Sequence, residues 1–396
     1  MTPAYRKRLL TGSYLGKVAL GTQVNTLAVC LVAIARTFGD LSQAQMGLIA
    51  SLSFVGIVAG LLAAGPLADR YGMRPFIIIG TLLIVVGQAA MALAPAYCLL
   101  LAAAVLGGLG AGALDALFSP LVCSICSDAR ASALNLLHAF YSIGAVATVA
   151  GASWMLGWGL SWRLIFPVMT LPALLCGALF AVTPLLDAEA QAAERQRARW
   201  LLLQPLFIIL LTTMLLLGAS ELAVAQWVPA YMTRVFGWAQ APAGVVLMGF
   251  SIGMAVGRLS ASALARRLRP MLLVALAALL CLGCLLVAAL APVAYGSAGA
   301  FVIFGLAVST LWPSILAYTS ERFPRGGATM FSLLAGMGNL GGVIGPALVG
   351  LIADAAGLRW GMGAVAATSA VLLAVFLWRD LADRRSPSSS TQANPG

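Results

Sequence analysis

Long apolar runs alternate with short polar joints along almost the whole of this 396-residue chain. Twelve of the runs contain about 20 residues or more, the length that a helix needs to cross the hydrocarbon core of a bilayer. Backbone groups in lipid must bond within the protein, and unbroken apolar runs meet this requirement as helices. The pattern therefore predicts an all-α membrane protein with twelve transmembrane helices. In chain order, we place helices 1 to 12 at Leu9–Ala35, Gln45–Leu67, Phe76–Ala94, Tyr97–Cys126, Ala131–Leu156, Trp162–Leu186, Leu206–Thr233, Pro242–Leu264, Met271–Ala294, Gly296–Thr319, Met330–Ala353 and Trp360–Leu381.

The composition excludes a soluble globular protein. Apolar residues make up 62% of the chain and charged residues 9%, and no soluble core needs that much hydrophobic surface. The few charged residues inside the predicted helices therefore become the candidates for function. Seven cysteines are spread over the chain without histidine or acidic companions at metal-binding spacing, so we expect no metal site.

The net charge of +11 is distributed as a topology signal rather than as a nucleic-acid surface. If the N-terminus lies in the cytoplasm, most of the 23 lysines and arginines fall in cytoplasmic joints. The opposite face then carries Arg36, Arg163, Arg234 and Arg359. We therefore expect cytoplasmic termini in a bacterial inner membrane, the lipid bilayer as a partner, and no nucleic-acid partner.

A polar interruption at Asp187–Arg199 divides the chain into two similar halves. We predict a six-helix bundle at 1–186, a cytoplasmic loop at 187–204, a second six-helix bundle at 205–383 and a disordered cytoplasmic tail at 384–396. The halves match at an offset of 197 residues, which places Gly144 on Gly341. Secondary transporters contain internal repeats of this kind, and the repeats move relative to one another around a central binding site.

The segment Gly65–Arg74 resembles the signature between helices 2 and 3 of the major facilitator superfamily. The resemblance implies two six-helix bundles with alternating access. It also implies a conformational latch in the loop after helix 2, formed by Gly65, Asp69, Arg70, Gly72 and Arg74.

Further segments resemble the fucose:proton symporter branch of that superfamily, which includes sugar permeases. They are Gly110–Asp115, Leu134–Phe140, Gly218–Glu221 with Trp227 and Tyr231, Glu321–Pro324, and Gly338–Gly342. The branch carries an acidic residue in helix 1, whereas residues 21–26 hold only neutral polar groups here. This departure argues against fucose itself as the substrate.

Three titratable residues inside the helices are the candidates for proton coupling. Asp115 lies about 16 Å from the cytoplasmic end of helix 4, and Glu221 lies near the middle of helix 7. His138 lies about 10 Å into helix 5, where contact with Asp115 is plausible because helices 4 and 5 are joined by a tight turn. The alternative for each is a structural hydrogen bond to a neighbouring helix.

Polar and aromatic side chains in the helices are the candidates for substrate binding, since amides suit hydroxyl groups and an indole face suits a sugar ring. They are Gln23, Asn25, Asn135, Tyr141, Gln226, Trp227, Trp312 and Asn339. Pro229 favours a break in helix 7 that would turn Trp227 inward. For Tyr231 the sequence allows two predictions, a cavity residue or a member of an interfacial aromatic belt.

Two basic side chains inside the helices are predicted to lie outside the substrate-binding and proton-coupling sites. Lys17 lies near the cytoplasmic end of helix 1, from which it could extend to the membrane surface. Arg258 lies six residues from the inner end of helix 8, where we expect a gate or packing role.

Together these features indicate a monomeric secondary active transporter rather than an enzyme, since the chain has no nucleophile–base pair inside the bundle. We expect proton-coupled uptake of a sugar or a similar small polar solute. The coupling ion is a proton, with sodium as the alternative, and no other cofactor is needed. A proton-driven exporter of drugs or metabolites is the alternative function.

Overall fold

The computed structural model describes residues 2–39, 41–185 and 198–385. Within these ranges the chain is helical, and twelve helices are long and apolar enough to cross a membrane. They are α1 (Pro3–Thr37), α2 (Gln43–Tyr71), α3 (Met73–Leu93), α4 (Tyr97–Ile125), α5 (Arg130–Gly157), α6 (Trp162–Met169 and Leu171–Val182), α7 (Pro205–Phe236), α8 (Gln240–Leu264), α9 (Pro270–Leu290), α10 (Ala294–Val308 and Leu311–Arg322), α11 (Gly327–Ala356) and α12 (Leu358–Arg385). This confirms the twelve-helix prediction.

Two predicted segments fall largely outside the described residues. Most of the predicted central loop at 187–204 does so, although its last part contains a short helix at Ala198–Leu202. The predicted tail at 384–396 also lies outside the description, apart from the last turn of α12.

The helix ends follow local capping chemistry. α1 begins six residues before the predicted start, because Thr2 accepts the backbone N–H of Tyr5 and Pro3 occupies the first helical position. α2 begins with a capping box in which Ser42 and Gln45 each accept a backbone N–H from the other. The position of the α1 start changes how deep Lys17 lies in that helix.

The helices form two compact units. The first contains residues 1–212 and 319–339, and the second contains residues 213–318 and 340–396. The first unit therefore includes the end of α10 and the first part of α11 as well as α1 to α6. The predicted six-helix halves of the sequence stay a prediction about how the chain is organised in function.

Glycines allow the same close helix crossing in each unit. A Cβ atom on Gly144 of α5 would lie 2.7 Å from the carbonyl oxygen of Val18 in α1. A Cβ atom on Gly341 of α11 would meet the carbonyl oxygen of Leu215 in α7. Both partners are 197 residues apart in the sequence, so the repeat predicted from the sequence is present as a packing contact.

A second crossing repeats with the same spacing. Gly56 of α2 packs against the backbone at Val105 of α4, and Gly253 of α8 packs against the backbone at Val302 of α10. Small residues let helix backbones approach closely in lipid, where there is no hydrophobic driving force between helices. The close crossings are therefore a shared framework for the two units.

Each unit also contains an arginine that donates to two carbonyl groups at the end of a neighbouring helix, an arrangement that we call an arginine clasp. Arg163 donates to the carbonyl oxygens of Ala92 and Ala94, at 2.5 and 2.8 Å, where α3 ends. Arg359 makes the same pair of bonds where α9 ends, to the carbonyl oxygens of Ala289 and Ala291. Each guanidinium thus satisfies carbonyl groups that lack a partner at a helix end.

We predict that the glycine crossings limit stability. Gly144→Ala should lower the melting temperature of the purified protein by several degrees, because the added methyl group meets backbone that cannot move aside. Gly283→Ala is the matched control, since Gly283 is exposed on α9 and has nothing within 4 Å of a Cβ atom. Thermal unfolding in one detergent measures both, and equal melting temperatures for the two variants would contradict the prediction.

Candidate functional site

The first unit contains an ion pair between α1 and α4. Lys17 Nζ lies 2.5 Å from Asp115 Oδ1, and the Lys17 side chain is 1% exposed while that of Asp115 is 15% exposed. This is a charge-assisted hydrogen bond between two groups that are both held away from solvent. Asp115, the first predicted coupling residue, therefore has a cation as its direct partner.

The assignment of Lys17 to the membrane surface was wrong. Lys17 is buried and its ammonium group donates to the Asp115 carboxylate, so its side chain does not extend to the membrane surface. Sequence reasoning missed the pair because the spacing of residues does not show which face of α1 packs against α4. The signal that could have found it is the charge balance between a buried lysine and a buried aspartate.

Two further polar groups lie near this pair. His138 Nε2 of α5 is 3.5 Å from the Oγ of Ser119, which is one helical turn from Asp115 on α4. Gln23 of α1 is 2% exposed and packs against Gly107 of α4, and its Oε1 atom has no hydrogen-bond partner. An unsatisfied buried amide oxygen is unfavourable by about 1–3 kcal/mol, which makes Gln23 a ready acceptor for a bound donor.

The second unit contains a different ion pair, between α7 and α8. Arg258 Nη2 lies 3.8 Å from Glu221 Oε1, with both side chains largely buried. The other carboxylate oxygen, Oε2, has no hydrogen-bond partner, and neither has the buried Oγ of the adjacent Ser220. Glu221 thus has Arg258 as its partner, a residue for which the sequence predicted a gate or packing role.

The two ion pairs do not follow the internal repeat. The packing contacts recur at 197 residues, but the positions that correspond to the four charged residues are uncharged. They hold Met214, Trp312, Val24 and Leu61. Because each unit folds without the charges of the other, the framework does not require these charges, and a charged group inside a membrane helix without a structural need is a candidate for function.

Three predicted amide side chains are bound to their own helices. The side-chain nitrogens of Asn25, Asn135 and Asn339 each donate to the carbonyl oxygen four residues earlier, at 2.8 to 2.9 Å. Such bonds satisfy the amide donor locally, as expected for a polar group in lipid. Of the three, Asn135 is fully buried.

The aromatic candidates have different surroundings. The Trp227 indole N–H donates to the carbonyl oxygen of Pro346 in α11 at 2.9 Å, and α7 continues through Pro229 without the predicted break. Gln226 is exposed, while Trp312 and Tyr141 are half-buried. The indole of Trp227 therefore anchors α7 to α11 in the second unit.

Tyr231 is a core residue, so both of its predicted roles were wrong. Its side chain is fully buried, its hydroxyl donates to the carbonyl oxygen of Ala288 at 2.8 Å, and its ring packs against Phe301 with centroids 5.4 Å apart. A buried tyrosine with its hydroxyl bonded inside the protein belongs neither to a cavity wall nor to an interfacial belt.

The predicted latch residue Asp69 caps the start of α11. Its carboxylate accepts the backbone N–H groups of Ala328 and Thr329, each at 2.8 Å, and the Thr329 hydroxyl at 2.6 Å. The N-terminus of a helix carries a partial positive charge, so a carboxylate is favourable there. Gly327, with φ of +61°, leaves the space that the carboxylate occupies.

The other predicted latch residues divide between two places. Gly65 faces Ser332 of α11, and Gly72 has φ of +86° at the turn after α2. Arg74 instead donates to the carbonyl oxygens of Phe180 and Ala181 at the end of α6. Arg70 lies over the ring of the neighbouring Tyr71. The contacts to residues 319–339 thus come from Gly65 and Asp69.

Comparison with known proteins identifies the family. Residues 14–330 and 298–395 match the profile of the Major Facilitator Superfamily. The chain belongs to this superfamily. It is therefore a multi-pass membrane transporter of small molecules and not an enzyme, as predicted.

The relatives are transporters with different substrates. The chain is 30% identical over 361 residues to the 3-(3-hydroxyphenyl)propionate transporter of Escherichia coli strain K12, covering 83% of each chain. It is 23% identical over 392 residues to the cis,cis-muconate transport protein of Acinetobacter baylyi, covering 92% of each chain. The structure of the fucose:proton symporter of E. coli matches 94% of this chain and 98% of that one with a TM-score of 0.76, at 20% identity. The resemblance to the fucose branch therefore holds for the fold alone.

We predict that the Lys17–Asp115 pair behaves as a buried unit. Lys17→Met should lower the free energy of unfolding by about 3–5 kcal/mol, because it leaves the Asp115 carboxylate buried without its counter-ion. The double variant Lys17→Met/Asp115→Leu should recover most of that loss, since it removes both charges. Reversible unfolding in mixed micelles measures both, with the exposed Lys7→Met as control. A single variant as stable as the control would contradict the pairing.

We also predict that Asp69 holds the first turn of α11. Asp69→Ala removes three hydrogen bonds, so backbone amides at 327–332 should exchange with deuterium at least tenfold faster than in the unaltered protein. Arg70→Ala serves as the control in the same turn of α2 and should leave exchange in α11 unchanged. Equal exchange in the two variants would show that Asp69 does not fasten this turn.

Proposed function

We propose that the protein is a secondary active transporter that takes up a small organic carboxylate together with protons. The observation that carries the proposal is the presence, in each unit, of an ion pair between membrane helices that the repeated framework does not need. The geometry supplies a buried cation for an anionic substrate and a buried carboxylate for a proton. Asp115 and Glu221 remain the two candidates for the group that takes up the proton, with His138 beside Ser119 as a third titratable group.

The electrostatics of a buried pair suit proton coupling to an anion. A lone lysine or arginine in lipid is strongly unfavourable, so it keeps a counter-ion. When the aspartate or glutamate partner takes up a proton, the cation needs another anion, and a substrate carboxylate can serve. Binding of the proton and binding of the substrate therefore favour each other, and the net charge of the site does not change.

The relatives support a carboxylate rather than a sugar. Two of the sequence relatives, a hydroxyphenylpropionate transporter and a muconate transport protein, are named for organic acids, while others are named multidrug resistance proteins. Uptake of a sugar, predicted from the polar residues and the branch resemblance, remains a hypothesis supported by fold alone. Gln23, with an unsatisfied amide oxygen, is suited to a hydroxyl on either kind of substrate.

We also propose the orientation and the role of the latch. The arginine distribution and the bacterial sources of the relatives support a bacterial inner membrane with cytoplasmic termini. In that orientation, Asp69 and the start of α11 lie at the cytoplasmic ends of their helices. The Asp69 bonds would stabilise the state in which residues 319–339 pack in the first unit, and inward opening would require breaking them.

The test is uptake into proteoliposomes under an imposed pH gradient, acidic outside. We expect accumulation of radiolabelled 3-(3-hydroxyphenyl)propionate or cis,cis-muconate at least fivefold above protein-free liposomes, which measure passive entry of the free acids. L-fucose and D-xylose should stay at the passive level. A sodium gradient without a pH gradient should give no accumulation. Uptake of a sugar but of no carboxylate, or outward movement of preloaded ethidium driven by the pH gradient, would refute the proposal.

A further inference from the structure

The Arg258–Glu221 pair of the second unit is more loosely bound than the Lys17–Asp115 pair of the first, and this difference indicates a role in transport. We propose that Arg258 binds the substrate carboxylate in exchange for Glu221, which takes up the transported proton. This inference rests on the proposed function and names the residues at which the proton and the substrate meet. The Lys17–Asp115 pair of the first unit is then a fixed pair that keeps its bond through this exchange.

The two pairs differ in how tightly their partners are bound. Lys17 and Asp115 are 2.5 Å apart and form a hydrogen bond, whereas Arg258 and Glu221 are 3.8 Å apart, beyond hydrogen-bond distance. Charge-assisted hydrogen bonds add substantially to the attraction between ions. A carboxylate held only by longer-range attraction is therefore the easier one to protonate and displace.

The surroundings of Glu221 favour a change of protonation state. Its Oε2 atom is buried without a hydrogen-bond partner, so the charged form has little support apart from Arg258. The other titratable group that faces it in the described residues is Cys281 of α9, which lies within electrostatic range and has a neutral thiol as its ordinary form. Arg258 is thus the main group that stabilises the charged form of Glu221. When an incoming anion neutralises Arg258, the glutamate can take up a proton.

The chemistry of Arg258 fits a carboxylate guest. A guanidinium presents a planar fork that binds a carboxylate through two parallel hydrogen bonds, which an ammonium group cannot do. This arrangement therefore provides a binding site for one carboxylate group of an organic acid.

The exchange fixes the charge balance of transport. One proton moves from the external water to the Glu221 carboxylate, and one substrate carboxylate replaces that group as the counter-ion of Arg258. Both are released inside, and Glu221 returns to Arg258. One negative and one positive charge cross together, so transport by this site is electroneutral.

The experiment measures binding of radiolabelled 3-phenylpropionate to the full-length protein between pH 5.5 and pH 8. In the unaltered protein the affinity should fall about tenfold per pH unit at the basic end, because one proton binds with the substrate. Glu221→Gln should bind with a pH-independent affinity and still exchange substrate across proteoliposomes, but it should no longer accumulate it. Accumulation by the unaltered protein should not change when valinomycin and potassium impose a membrane potential.

Conservative variants separate the site from general effects on folding. Glu221→Asp keeps a carboxyl group and should retain the pH dependence. Arg258→Lys keeps the charge but loses the fork, so its affinity for 3-phenylpropionate should fall at least tenfold with the pH dependence unchanged. Unchanged affinity in Arg258→Lys would overturn the proposal even if Glu221→Gln did not fold.

The outcomes distinguish the two levels of inference. If the unaltered protein binds no carboxylate in the uptake panel at any pH, the proposed function fails. If it binds 3-phenylpropionate with proton linkage that persists in Glu221→Gln but disappears in Asp115→Asn, the proposed function stands and this assignment is wrong. A current carried by substrate uptake would also overturn it.

Discussion

The absence of water from the hydrocarbon core is the constraint on which the rest of the structure depends. Every backbone N–H and C=O in that region must bond within the protein, which is why the apolar runs become helices. The same requirement explains the asparagine amides that bond to the preceding turn. The arginine clasps at the ends of α3 and α9 and the carboxylate at the start of α11 satisfy backbone groups that a helix end leaves without partners. Lipid gives helices no hydrophobic reason to associate, so close approach at glycines supplies van der Waals contact instead.

The internal repeat separates what the fold needs from what the function needs. The glycine crossings and the carbonyl groups bound by the arginine clasps recur 197 residues apart, so the two halves of the sequence share this packing. The charged residues of the helix interior do not recur. A buried charge is unfavourable, and the same helix packing forms in the other unit with uncharged residues at the corresponding positions. The charged residues therefore need an explanation other than folding. The superfamily to which the chain belongs provides one, because transport requires groups whose charge can change inside the membrane.

The sequence could predict the features that depend on composition and spacing. Twelve apolar runs defined the helices, the segment Gly65–Arg74 and the 197-residue offset pointed to the superfamily, and isolated acids marked Asp115 and Glu221. It could not predict the partners of those acids, because a partner depends on helix rotation and on the true start of a helix. Lys17 was therefore assigned to the surface, although it is buried and bonded to Asp115. Tyr231 was misjudged for a related reason, since its hydroxyl donates to a backbone carbonyl group on a neighbouring helix.

The choice of lysine in one unit and arginine in the other follows the same physical reasoning. An ammonium group is a compact charge that a single carboxylate oxygen can satisfy at short range, as Asp115 does for Lys17. A guanidinium spreads its charge over a fork and keeps donors directed outward from any one contact. Such a group can exchange one carboxylate for another while remaining neutralised throughout. Interchanging the two cations would therefore alter the properties of both pairs although every charge would be conserved, and the chemistry of transport depends on that difference rather than on net charge.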